Sequence, residues 1–377
     1  MTLRKLVFWT HLAAGCVAGA VVLVMSVTGV LLAYQRQVIA WADRGFRSVP
    51  LPAGRLGMEA LLARVQNEVP VSVTVRAAPE APVEVSFGRD RTVFLDAYTG
   101  RVLGEGSKGT RAFFHRVEAW HRWLGAEGEG RAAGRAVTGA CNLAFLVLVI
   151  SGPYLWWPRR WTWKNVRAVL LFRRGMEGRA RDFNWHNAIG IWIAAPLGAI
   201  VLTGVVMSYP WANNLLFRLA GSEPPPERGG GPAARPGKPA RPAGLDALWA
   251  RTEQQVAGWQ SITLRFPTNS RAPLTFAIDR SSGGRPDQRS QLTLDARTGA
   301  VIRFEPFASY TAGRRLRMWF RFLHTGEAGG WLGQTLAGLA SAGAALLVYT
   351  GLSLAVRRLL AWRARRREPA KQEIFRF

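Results

Sequence analysis

The chain has 377 residues, 49% of them hydrophobic, and a formal charge of +26. In a water-soluble protein that charge would point to nucleic acid, but there is no RNA- or DNA-binding motif, and basic residues beside long apolar runs set membrane orientation instead. Its two cysteines, Cys16 and Cys141, both fall in apolar runs, which excludes a disulfide framework, and with no Cys-x-x-Cys-His covalent haem attachment is excluded too.

Residues 1–41 hold a first membrane-spanning helix over 6–34, LVFWTHLAAGCVAGAVVLVMSVTGVLLAY, which at ~1.5 Å per residue outreaches the ~30 Å hydrocarbon core. His11 lies near its entry and Thr28-Gly29 near its exit. Ala13-Ala14-Gly15-Cys16 loosely resembles a lipoprotein cleavage site, but the apolar run continues too far past Cys16 for a removed signal peptide, so the segment reads as an uncleaved anchor. Residues 42–108 form a small α/β domain with a helix over 58–69 and alternating segments at 71–75 and 83–87. Two short strands then flank a turn from Asp96 to Gly100, the glycine supplying the positive φ that such hairpins need.

Residues 109–157 begin as an amphipathic, aromatic segment carrying His115 and His121 and continue as a second span over 136–157. That span ends in Ser151-Gly152 and an interfacial belt of Tyr154, Trp156 and Trp157. Residues 158–183 are short and strongly basic, with Arg159, Arg160, Lys164, Arg167, Arg173, Arg174, Arg179 and Arg181, and by the positive-inside rule are cytoplasmic. The third span, within 184–212, runs over 185–209 and repeats the first: His186 precedes Gly204 by the same separation that His11 precedes Gly29. Residues 213–244 are a Pro/Gly-rich linker, whose part from Gly221 to Gly244 has too little apolar content to fold. Residues 245–308 form a second mixed domain, in which QLTLDARTGAVI matches the Leu-Asp-x-x-Thr-Gly-x-Val hairpin of the first. Residues 309–377 present His324, a fourth span over 331–356 with Thr350-Gly351 near its far end, and a basic tail that is again cytoplasmic.

Four spans with both termini inside place both mixed domains outside. The fold class is therefore an α-helical membrane protein built as a tandem duplication of helix, outer α/β domain, helix, with parallel repeats.

All five histidines stand at or beside the starts of spans, where ionisable groups are costly and usually face the bundle interior. The plainer alternative is that each snorkels to the interface. Helices one and three enter from the same side, which brings His11 and His186 to similar depth; helices two and four do the same for His121 and His324. Paired histidines on facing helices are how a non-covalent haem iron is held from both sides. Gly15, Gly125 and Gly190 sit four positions after His11, His121 and His186 and leave room for a macrocycle, unless they serve ordinary close packing. His115, six residues or about 240° of helix from His121, cannot share one iron with it. His121 is preferred for its glycine spacing, and His115 is kept as an alternate ligand or a supporting or substrate-side residue. Trp120, Trp123, Trp185 and Trp192 could pack on the rings or serve as belt residues. No phosphate loop, His-Glu-x-x-His zinc site or dinucleotide fingerprint is present, so electrons would have to come from a cytosolic flavoprotein or from membrane quinol.

At Trp9-Thr-His11, Ser26-Val-Thr-Gly29, His121-Arg-Trp-Leu-Gly125, Ile150-Ser-Gly-Pro-Tyr-Leu-Trp-Trp-Pro158, Arg181-Asp-Phe-Asn-Trp-His186, Leu202-Thr-Gly204, Leu323-His-Thr-Gly326 and the two Leu-Asp-x-x-Thr-Gly hairpins, the chain resembles the PepSY-associated transmembrane helix family. That family comprises bacterial inner-membrane proteins and includes ferric-siderophore reductases and iron-uptake-linked proteins. The resemblance implies periplasmic PepSY-like domains and two b-type haems ligated by His11, His186, His121 and His324. It further implies reduction of periplasmic ferric-siderophore iron, or another ferric chelate, with electrons carried outward. Some family members are fused to flavoprotein domains, which this chain does not carry. The rival reading is a non-redox PepSY membrane protein whose outer domains bind or inhibit a partner such as a peptidase. A permease is disfavoured, since no span carries the paired carboxylates or breaks of a midplane ion site.

Overall fold

A computed structural model describes all residues except 66–67, 89–90, 159–161, 227–241, 268, 270–271 and 375–377, and the backbone alone at 168 and 367–374. Residues 227–241 of the expected linker, together with Arg159 and Arg160 of the basic loop, lie outside the described residues, and 213–219 of it are helical. The helices in chain order are α1 (Leu3–Leu32), α2 (Gln35–Ala42), α3 (Met58–Leu62), α4 (Lys108–Trp123), α5 (Gly130–Trp156), α6 (Trp163–Leu170), α7 (Gly178–Ser208), α8 (Pro210–Leu219), α9 (Leu245–Gln255), α10 (Ala312–His324) and α11 (Gly330–Ile374). The strands are β1 (Ser72–Arg76), β2 (Val83–Ser86), β3 (Thr92–Leu95), β4 (Val102–Glu105), β5 (Ser261–Arg265), β6 (Leu274–Asp279), β7 (Arg289–Leu294) and β8 (Val301–Pro306). Two compact units result: Met1–Ala33, Arg116–Ala212 and Leu323–Phe377 form one, Tyr34–His115 and Asn213–Phe322 the other.

In the helical unit, α1, α5, α7 and α11 are long and apolar enough to cross a membrane. α1 and α7 each pack against both α5 and α11, so the four helices close into a ring. Small residues let the backbones approach, as expected where lipid supplies no hydrophobic drive between helices. A Cβ on Gly343 would lie 2.8 Å from the Ile193 side chain, and one on Gly19 3.4 Å from Leu352. Between them Leu197, Val201, Ala340 and Ala344 form a buried aliphatic centre. The helices outrun the apolar segments: α5 starts at Gly130, α7 at Gly178, and α11 continues through the basic tail. Hydropathy marks only the stretch that suits hydrocarbon, whereas backbone hydrogen bonding continues into a polar turn whose long side chains reach water.

The sheet unit holds one eight-stranded antiparallel sheet in the order β4-β3-β2-β1-β5-β6-β7-β8. The segments 42–108 and 245–308, expected as separate domains, are two four-stranded meanders fused edge to edge. β1 and β5 pair in full register, Val73 opposite Leu264 and Val75 opposite Ile262. Apart, each would leave an open edge of unpaired amides, which proteins avoid. One core runs across the seam, with Val73, Val85, Leu95, Ile262, Leu264, Phe276 and Leu292 all buried. The helix expected over 58–69 is shorter, a single α-turn and more at Met58–Leu62 running into a 3-10 turn at Ala63–Val65. α3 and α9 cap each other: the Glu59 N–H donates to Asp246 Oδ1 at 2.8 Å, and the Leu245 N–H donates to Glu59 Oε1 at 2.9 Å. Both expected hairpin turns are present. Asp96 accepts the N–H groups of Tyr98 and Thr99, Asp295 those of Arg297 and Thr298, and the closing Gly100 and Gly299 have φ of +70° and +68°.

Candidate functional site

Four histidines meet in two pairs inside the helical unit. His11 on α1 faces His186 on α7 with ring centres 6.4 Å apart, and His121 on α4 faces His324 on α10 at 6.3 Å. The first pair sits on opposite helices of the ring. The second sits on the last turns of α4 and α10, which stop short and fold back onto α5 and α11. Leu124 and Gly125, both at positive φ, end α4. A Cβ on Gly134 would run into the Trp123 carbonyl, and Thr138 Oγ1 donates to Arg122 O at 2.9 Å, so the end of α4 lies directly on α5. Gly326, at φ +73°, and Gly333 make the equally close contact after α10.

Each ring is held through Nδ1 by a hydroxyl from another helix. His11 is bonded to Ser151 Oγ at 2.7 Å, His186 to Thr350 Oγ1 at 2.9 Å, His121 to Thr28 Oγ1 at 2.9 Å and His324 to Thr203 Oγ1 at 3.2 Å. Each hydroxyl also lies against the carbonyl four residues before it in its own helix: Ser151 against Val147 O at 2.6 Å, Thr350 against Leu346 O at 2.8 Å, Thr28 against Val24 O at 2.6 Å and Thr203 against Ala199 O at 2.7 Å. A hydroxyl has one proton, and a carbonyl can only accept. The proton therefore goes to the carbonyl, and the hydroxyl oxygen must accept from the ring. A neutral imidazole has one N–H, so in all four it is Nδ1–H, and Nε2 carries the lone pair. His324 states this twice, since Ile200 O accepts from the same nitrogen at 2.9 Å.

Residues 8–358, nearly the whole chain, match the PepSY-associated TM region. The chain belongs to that family. No curated protein matches it.

In this PepSY-associated chain each holding hydroxyl is followed by a glycine that makes room for the ring. A Cβ on Gly204 or Gly351 would stand 3.3 Å from Cε1 of His324 or His186, and one on Gly29 or Gly152 3.7 or 3.9 Å from that of His121 or His11. These four Ser/Thr-Gly steps escaped the sequence reading as site residues, although each was visible as a dipeptide near the end of a span. Asn142 completes one corner: it donates to Val201 O and its amide nitrogen lies 3.0 Å from where a Gly204 Cβ would be, while Ser341 Oγ stands 3.2 Å from the same position on Gly29.

The glycines singled out from sequence are placed differently from one another. Gly15 and Gly190 lie within α1 and α7 and look towards Leu148 and Leu347. Gly125 is off the helix, a left-handed residue closing α4 against Trp120. His115, half-buried on α4, does not share the face of His121. Trp123 is buried and flanked by Arg122 and Arg131, while Trp120 and Trp192 are exposed as belt residues would be. Among the described residues no three His, Cys, Asp or Glu side chains gather into a metal site. Each histidine pair offers two nitrogens, enough to hold a metal from two sides but not to enclose a bare ion.

Proposed function

We propose that the chain is a membrane-spanning electron carrier that binds two b-type haems, one between His11 and His186 and one between His121 and His324. It reduces a ferric chelate, of the ferric-siderophore class, on the outer side of a bacterial inner membrane. The observation that carries this reading is the pair spacing. Two imidazoles on opposite sides of one iron have ring centres about 6.2 Å apart, from metal–nitrogen bonds of ~2.0 Å and ~1.1 Å from nitrogen to ring centre. The pairs stand at 6.4 and 6.3 Å. A donor set of two also suits a macrocycle, which brings its own four nitrogens. Bound haem would supply reversible one-electron chemistry. The chain's own residues do the rest: Ser151, Thr350, Thr28 and Thr203 hold Nδ1–H, which puts the ring's lone pair on Nε2, and the aliphatic centre around Val201 and Ala340 keeps water out between the pairs.

On this reading the chain is a tandem duplication with both termini cytoplasmic. His11 and Thr28 are as far apart on α1 as His186 and Thr203 on α7, about 25 Å of helix, so the two sites serve opposite leaflets and divide the barrier. His115 keeps a supporting or substrate-side role, and the electron donor is a flavoprotein or quinol. The deciding measurement is a reduced-minus-oxidised spectrum of the purified protein with pyridine haemochrome quantification. About two low-spin b-type haems per chain are expected, and His186→Ala should remove one and leave the other. A colourless protein after expression with ample haem would transfer the function to the outer sheet as a partner-binding or peptidase-inhibiting module.

A further inference from the structure

The two sites share the hydroxyl-and-glycine support of each ring but differ in charge at one corner. Among the described residues of the helical unit, Asp182 is the buried acidic side chain, 1% exposed. It lies one turn before His186 on α7, where the corresponding positions before His11, His121 and His324 are Val7, Val117 and Phe320. α11 joins the two groups: Thr350 accepts from His186 Nδ1, and Ser353, one turn on, donates to Asp182 Oδ2 at 2.6 Å. The residues three after the other holding hydroxyls are Leu31, Tyr154 and Val206, and none of them has a carboxylate beside it four residues before its histidine. Arg181 donates to Asp182 Oδ1 at 2.9 Å and Arg357 stands 3.7 Å from Oδ2. Their side chains are 39% and 48% exposed against 1% for the carboxylate, so water screens the cations far more than the anion.

A buried carboxylate at a membrane span is costly, and a clamp between α7 and α11 would not require it, because an asparagine could accept the same hydrogen bond from Ser353. What asparagine could not supply is the charge. We propose that Asp182 sets the redox balance between the two sites. Its negative charge favours the oxidised, more positive form of an iron held by His11 and His186, and so gives that site the lower potential. An electron shared between the sites then leaves the His11–His186 iron oxidised and the His121–His324 iron reduced. The inference rests on the haem reading above and adds a direction to it.

Spectroelectrochemical titration of the full-length, haem-loaded protein tests it. Two midpoint potentials are expected, and the His324→Ala variant, which keeps the His11–His186 site, should retain the lower. Asp182→Asn should raise the lower midpoint and leave the upper in place, and Asp182→Glu should restore it. Ser353→Ala, which takes a donor from the carboxylate but keeps its charge, should move the same midpoint down. This second variant decides the matter if Asp182→Asn does not fold. Two haems whose midpoints do not respond to either variant, or a response confined to the upper midpoint, would overturn the role of Asp182 and leave the haem reading intact. Absence of haem from the unaltered protein would instead overturn the haem reading, and this inference with it.

Discussion

Thr350 has already given its proton to Leu346 O when His186 meets it, and that small commitment decides which ring nitrogen can ligate. Thr350→Val keeps the shape and removes the acceptor, leaving a buried N–H without a partner at a cost of about 1–3 kcal/mol. Loss of such a supporting hydrogen bond weakens metal affinity by roughly 10–100-fold, so on the proposed haem reading the His11–His186 site should lose haem to a competing haem-binding protein that much more readily, with the His121–His324 site unaffected. Gly351→Ala acts on the same ring by contact, since its methyl would stand 3.3 Å from Cε1, whereas Gly152→Ala has 3.9 Å at His11. The low-spin spectrum should change with the first and not with the second. Each Ser/Thr-Gly step was legible as a dipeptide. Its histidine was not, because helical periodicity assigns a residue to a face of its own helix and says nothing about which side chain another helix brings to that face.

At the scale of elements, the two Asp-to-Gly turns were read correctly because a turn is local: an aspartate reaches its own following amides and a glycine takes the left-handed φ, whatever the surroundings. The same local bonds make these turns sensitive to acid. Burial works against ionisation of Asp96, but the N–H groups of Thr99, Tyr98 and Val49 outweigh it, and the carboxyl ends below its usual 3.8. Asp295 is lowered by the N–H groups of Thr298 and Arg297 and the Thr298 hydroxyl. A depressed carboxylate contributes stability that is fully present above the unfolded-state value and is lost as pH falls through the folded one. The melting temperature of the sheet unit should therefore hold at neutral pH and fall progressively below about pH 4. Asp96→Asn should flatten that fall. The short α3 was misread as a longer helix because Met58, Leu61, Leu62 and Val65 keep helical spacing towards the core while the backbone has already tightened into the 3-10 turn at Ala63–Val65.

For the whole molecule, the fusion of two meanders into one sheet carries the clearest consequence. Leu264 is fully buried at the seam, opposite Val73. Leu264→Ala should cost about 2–5 kcal/mol, and because one core crosses the seam, hydrogen-exchange protection should fall in β2 and β3 as well as in β6 and β7. Independent domains would lose protection on one side only. The amino-acid sequence by itself determined the four spans, the histidines at their ends, the twin turns and the family, since hydropathy, turn chemistry and residue spacing are properties of consecutive residues. Only the tertiary structure decided that β1 pairs with β5, that four hydroxyls hold the imidazoles through Nδ1, and that Asp182 lies at one corner alone. Those facts depend on the rotation and register of packed elements, which are fixed by close contacts between side chains far apart in the chain.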